Sequence, residues 1–81
     1  MEAWPNKQFL KVRVETIHSS RITFLDTEYR NRIYLWEKPG RTKDAVSLER
    51  GKLVTLLASV VEQESQGNKQ YCTLKRVKVL S

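Results

Sequence analysis

Apolar and polar residues alternate along much of the chain, and short polar runs interrupt the alternation. From Phe9 to Ile17, Leu10, Val12 and Val14 occupy one parity and Lys11, Arg13 and Glu15 the other. A period of two with one wet side marks a half-buried strand. His18-Ser19-Ser20 then supplies short polar side chains suited to a turn. A second strand is predicted at Arg21 to Leu25, with Ile22 and Phe24 on one side, and a third at Arg32 to Glu37, with Ile33 and Leu35 on one side. Between them runs Asp26-Thr27-Glu28-Tyr29-Arg30-Asn31. Asp and Asn side chains close turns on the backbone, so the two strands read as a hairpin.

Lys38-Pro39-Gly40-Arg41 ends the third strand with two punctuating residues in succession. Two readings fit the segment from Thr42 to Gly51. One is a short helix capped by Thr42 and running through Arg50, with Ala45 and Leu48 inward and Gly51 past its end. The other is an irregular loop, because two turns of helix are marginal without tertiary support. Lys52 to Glu62 is the most apolar run. Its even-numbered set, Val54, Leu56, Ala58 and Val60, reads as the core face. Leu53, Leu57 and Val61 on the other side then need cover from the helix, the N-terminal arm or a partner. Gln63 to Gln70 reads as a polar hairpin loop containing Gly67-Asn68, and Tyr71 to Leu80 as a last strand. That strand changes phase, with Cys72 and Leu74 on one parity and Val77 and Val79 on the other, which calls for a bulge or bend near Lys75-Arg76.

An 81-residue chain is the size of one small domain, able to bury about 60% of the surface its unfolded form exposes, so a deep catalytic cleft is not expected. Residues 8–81 read as that domain, and residues 1–7 as a flexible arm in which Pro5 holds Trp4 extended. Trp4 either pins the arm to the domain or lies beside a ligand. The initial Met and the short length are compatible with a complete stand-alone protein. Fifteen Lys and Arg against nine Asp and Glu give a net charge of +6, which favours polyanionic partners. Cys72 is the sole cysteine and His18 the sole histidine. A disulfide framework is therefore excluded, a structural zinc site is not expected, and a reducing cytoplasm is the expected location. The start carries no apolar leader, and no run approaches the roughly 18 to 20 apolar residues that cross a bilayer.

Catalysis finds no support in the residue pattern. His18 beside Ser19 and Ser20 has no acidic partner set by spacing, Cys72 falls on a core parity, and the three glycines form no phosphate loop. No catalytic residue, metal or cofactor is expected. Binding is better served. If Ile33 and Leu35 face the core, Arg32, Tyr34 and Trp36 share the outer face with Arg21 and Thr23. Rings flanked by guanidinium groups suit a ligand with flat apolar faces and negative charge, such as single-stranded nucleic acid. Tyr34 and Trp36 are then the stacking candidates, with Tyr29 extending the platform from the turn; packing of Trp36 beneath the helix or arm is the competing role. Arg21, Arg30, Arg32, Lys11, Arg13 and Lys69 are the candidates for phosphate contacts.

The order of elements resembles the oligonucleotide/oligosaccharide-binding fold (OB-fold), over roughly residues 8 to 80. The stretches that carry the resemblance are Ile22-Thr-Phe-Leu-Asp26, Arg32-Ile-Tyr-Leu-Trp36, Gly51-Lys-Leu-Val-Thr-Leu-Leu-Ala-Ser-Val60 and Tyr71-Cys-Thr-Leu-Lys-Arg-Val-Lys-Val79. The resemblance implies an all-β, five-stranded Greek-key barrel with a short helix or loop between strands three and four, binding over strands two and three. The Phe-Gly-Phe and Phe-Val-His elements of the cold-shock branch are missing, which favours the single-strand-binding or replication-associated kind. The expectation is a non-catalytic protein for single-stranded DNA or RNA, DNA narrowly preferred. The alternative is a protein-interaction module or accessory subunit of a replication or phage-type complex, docking or self-associating through Leu53, Leu57, Val61 and Trp36.

Overall fold

The computed structural model describes residues 7–40 and 42–80. Five strands and one helical turn succeed each other as β1 (Gln8–Ile17), β2 (Arg21–Asp26), β3 (Arg32–Glu37), α1 (Lys43–Val46), β4 (Leu53–Gln66) and β5 (Lys69–Val79). The strands close into one barrel in the order β1-β2-β3-β5-β4, with β4 returning to β1. All pairings are antiparallel except β3 with β5. This is the closed five-stranded barrel with a short helix between strands three and four that the order of elements predicts, and it is compatible with an OB-like fold. Residues 1–6, including Trp4, lie outside the described residues, and Lys7 is exposed ahead of β1.

Closure depends on bent strands. β1 pairs with β4 through Gln8 to Arg13 and with β2 through Val12 to Ile17, and its register shifts between Val14 and Thr16. Such an irregularity increases local twist and lets one strand turn from one neighbour to the next. The phase change predicted for the last strand is present. The β4–β5 register shifts between Leu57 and Ser59, and Arg76 on the facing strand takes φ +57°. The one extra residue on β5 reverses the parity, so Cys72 and Leu74 are buried in the core while Val77 and Val79 still pack against it.

The even set on β4, Val54, Leu56, Ala58 and Val60, is buried, as are Leu10, Val12 and Val14 of β1. Ala45 and Leu48 join the same core cluster. Thr42 caps α1 as predicted, its hydroxyl accepting from the Ala45 N–H at 3.1 Å. The helix stops at Val46, however, and does not reach Arg50. Ser47 caps it and Leu48 bonds back to the Ala45 carbonyl at 3.3 Å in a tighter turn. A single turn suffices because its support is tertiary: the Asp44 carboxylate accepts from the Val79 N–H at 3.2 Å, and Ala45 and Leu48 insert into the core. The predicted eight-residue loop after β4 is also shorter. Gln66 faces Lys69, leaving a two-residue turn at Gly67-Asn68 with Gly67 at φ +62°, the left-handed geometry that tight hairpins require.

The principal correction concerns β3. Tyr34 and Trp36 are core residues, 3% and 8% exposed, and do not form an outer stacking platform. The cause is the register of the β2–β3 hairpin, in which Ile22 faces Trp36 and Phe24 faces Tyr34. Directly opposed residues share a face of the sheet, so burying Ile22 and Phe24 carries Tyr34 and Trp36 inward with them. Leu35 and Ile33 consequently face outward opposite Thr23 and Leu25, where Ile33 is still shielded outside the core cluster.

Candidate nucleic-acid interface

One end of the barrel gathers the β2–β3 turn, the β4–β5 hairpin and the start of β1. Asp26, the last residue of β2, organises the turn. Its Oδ1 accepts from the backbone N–H of Glu28 at 2.8 Å and of Tyr29 at 3.0 Å, and its Oδ2 accepts from the Tyr34 hydroxyl at 2.7 Å. The turn closes with the Arg32 N–H donating to the Tyr29 carbonyl at 3.0 Å. Tyr29 is thereby held outward, 56% exposed. The Arg32 guanidinium lies over its ring, 4.4 Å from the centroid, a distance suited to cation–π attraction. The Arg32 Nε donates to the Gln70 Oε1 at 3.0 Å, and the Gln70 N–H donates to the Asn31 carbonyl at 2.8 Å. Parallel pairing of Arg32 with Gln70 thus ties the turn to the hairpin that carries Asn68 and Lys69.

The same network sets the charges. Burial works against ionisation of Asp26, but the hydrogen bonds from Tyr34, Glu28 and Tyr29 and the nearby Arg32 charge hold its pKa below the ordinary value. Tyr34 is shifted upward, first by burial and then by its bond to Asp26, so its hydroxyl keeps the proton it donates. Arg32, although burial alone would weaken its proton, is shifted upward by a hydrogen bond with the Tyr34 hydroxyl and by the nearby Asp26 charge. The turn is therefore built on an ionised carboxylate, a protonated phenol and a fixed cation.

Across a depression of about 320 Å³ from Tyr29 stands Phe9, 70% exposed. Gln8, Lys11, Asp26, Arg32 and Tyr34 line the space between the two rings. Phe9 was not among the sequence candidates. Its signal was nonetheless present, because a strand that buries Leu10, Val12 and Val14 must place Phe9 on the wet side with Lys11. A second depression, about 440 Å³, lies on the other side of Tyr29 and Arg32 and is lined by Glu28, Arg30, Asn31, Asn68 and Gln70. Two open hollows with an aromatic–guanidinium wall between them can receive flat groups on either side.

Of the candidates drawn from sequence, Lys11, Tyr29, Arg30 and Arg32 come together here, and Lys69 sits in the adjoining hairpin between Asn68 and Gln70. Arg21 does not. It lies at the other end of the hairpin, where it pairs with Glu37 at 2.9 Å. Arg13 points toward the start of β4 and donates to the Gly51 carbonyl at 3.0 Å. Tyr34 enters the site only through its hydroxyl, and Trp36 not at all. Cys72 is buried, and burial raises its thiol pKa, the reverse of what a nucleophile needs. Leu53 and Val61 are exposed and Leu57 is half-buried opposite Phe9, so an apolar stripe runs along the outside of β1 and β4. Among the described residues no helix is long and apolar enough to cross a membrane. No family model, curated protein or solved structure matches the chain.

Proposed function

We propose that this chain is a non-catalytic, OB-type protein that binds single-stranded nucleic acid at the Phe9–Tyr29 end of its barrel. The observation that carries the reading is the pair of exposed rings flanking one depression, with Lys11 and Arg32 in its wall. Phe9 and Tyr29 are presented on a strand and a tight turn on either side of that depression, and a base stacked on such a ring contributes about 1–3 kcal/mol. Arg30, which lines the second depression with Tyr29, and Lys69 in the adjoining hairpin supply attraction for the backbone. DNA is preferred to RNA because the cold-shock elements are missing from the sequence. The binding surface is thus the rim of the barrel, not the outer sheet of strands two and three.

A titration of labelled poly-dT, poly-U and a DNA duplex, followed by fluorescence anisotropy at low and moderate salt, tests this. The expected result is salt-sensitive binding to a single strand in preference to the duplex. Absence of binding to every polymer at low salt overturns it. A second reading, a docking module, is favoured by the exposed Leu53 and Val61 beside half-buried Leu57. It requires concentration-dependent self-association or capture of a defined subunit, insensitive to salt, in sedimentation experiments.

A further inference from the structure

The outer side of the sheet formed by β1, β4 and β5 adjoins the rim but is built differently. β4 runs along its middle, where Leu53, Thr55 and Leu57 face Arg13, Lys11 and Phe9 of β1. On the other flank Lys78 faces Leu57, and the Leu80 N–H donates to the Thr55 carbonyl at 2.8 Å. Directly opposed residues share a side of a sheet, so these rows form one surface. Along β4 runs an apolar strip, with Leu53 57% exposed and Leu57 half-buried. Exposed cations border it on both flanks, Lys78 on one and Lys11 with Arg13 on the other. No carboxylate falls in these rows. Beside Leu53 opens a hollow of about 310 Å³, lined also by Val12, Val54, Lys11, Thr27 and Thr55.

Size and charge choose the occupant. From Leu53 to Leu57 the strand advances about 13 Å, and three strands side by side are about 10 Å across. A globular partner covers roughly 800 Å², far more than this surface offers. An α-helix about 10 Å in diameter fits it, over a length of about nine residues. A second copy docked through the same surface would set these cations against each other, and nucleic acid would meet aliphatic side chains along the strip where stacking needs rings. We propose that this surface docks an acidic amphipathic helix of a partner protein, laid along β4. Its apolar stripe covers Leu53, Thr55 and Leu57, and one anchoring side chain enters the hollow beside Leu53. Carboxylates on its two flanks meet Lys78 on one side and Lys11 and Arg13 on the other. Arg13 keeps its charge for this while donating to the Gly51 carbonyl. The docking is independent of the single-strand reading above.

The probe is a labelled peptide about four helical turns long, with a stripe of Leu at helical spacing and Glu on either side of it. It is compared, by fluorescence anisotropy on the full chain, with a scrambled peptide of the same composition and with one carrying Lys in place of Glu. The striped acidic peptide is expected to bind at least about tenfold tighter than either. Leu53→Asp, at an exposed position, lowers that affinity about tenfold and leaves oligothymidine binding unchanged, with folding checked by thermal melts. Lys78→Glu weakens the acidic peptide about threefold and tightens the Lys peptide, a change of sign that loss of folding cannot mimic. Equal binding of the three peptides, or no binding of the acidic one at millimolar concentration, overturns the proposal and leaves the single-strand reading untouched. A loss of oligothymidine binding in Leu53→Asp as large as the loss of peptide binding gives the surface to nucleic acid and overturns it too. So does self-association of the unmodified chain that Leu53→Asp abolishes, since the occupant is then a second copy.

Discussion

The Tyr34 hydroxyl, carried on a side chain buried in the barrel, donates to the Asp26 carboxylate at 2.7 Å and so links the core to the turn that presents Tyr29. A phenol in a core needs a partner for its one polar group, and here the partner is the residue that shapes the candidate site. Packing inside the barrel and ring placement on its rim are thus one arrangement.

Removing that hydroxyl separates the two. Tyr34→Phe keeps the ring in the core but leaves Asp26 short of one donor, and a hydrogen bond to a charged, partly exposed acceptor contributes about 1–2 kcal/mol. Urea denaturation is expected to show a loss of that size. An unchanged midpoint would mean that the bond does not anchor the turn.

The pH dependence has two limbs with opposite signs. Asp26 has its pKa lowered in the folded chain, so its contribution to stability is complete above the ordinary value of 3.8 and is lost as pH falls through the folded value. Tyr34 is raised, so its contribution is complete below the ordinary value of 10.0 and is lost as pH rises toward and through the folded value. Thermal melts of the unmodified chain should weaken at both extremes. Tyr34→Phe should flatten the alkaline limb and shrink the acid one, whereas Asp26→Asn should flatten the acid limb.

Exposed and buried rings should respond differently to truncation. Phe9→Ala and Tyr29→Ala are expected to weaken single-strand binding by roughly 5- to 150-fold each, the equivalent of one stacked base, with melting temperatures nearly unchanged. Trp36→Ala removes a core side chain and should instead destabilise the fold by about 3–5 kcal/mol. Calorimetry alongside anisotropy separates the effects, and a stable Trp36→Ala protein that has lost binding would return Trp36 to the interface.

Salt dependence locates the phosphate contacts. Each neutralised phosphate on a single strand contributes about 0.7 to the slope of log affinity against log salt. Lys69→Ala and Arg30→Ala should each lower the slope by about that amount. Arg21→Ala should leave it unchanged, since Arg21 is paired with Glu37 at the far end of the hairpin. An equal effect of all three would mean that the charge acts globally and marks no site.

Where one parity of a strand was plainly polar, the sequence alone decided which face went inward. Lys11, Arg13 and Glu15 settled β1 against Leu10, Val12 and Val14, and the same test, carried one residue back, placed Phe9 in water. The capping hydroxyl of Thr42, the inward Ala45 and Leu48, and the phase change across Lys75-Arg76 were equally legible, because each arises from local geometry. On β3 both parities are rich in apolar residues: Ile33 and Leu35 compete with Tyr34 and Trp36. Alternation then carries no vote, and the choice passes to the register with β2, which pairs Ile22 with Trp36 and Phe24 with Tyr34. The site itself was decided at still longer range. Arg32 meets Gln70, 38 residues away, only because β3 and β5 run side by side in parallel. Hydrophobic period is a property of each strand taken singly, whereas strand register and barrel closure are properties of pairs, and it was the pairs that set Tyr29, Phe9 and Arg32 around one hollow.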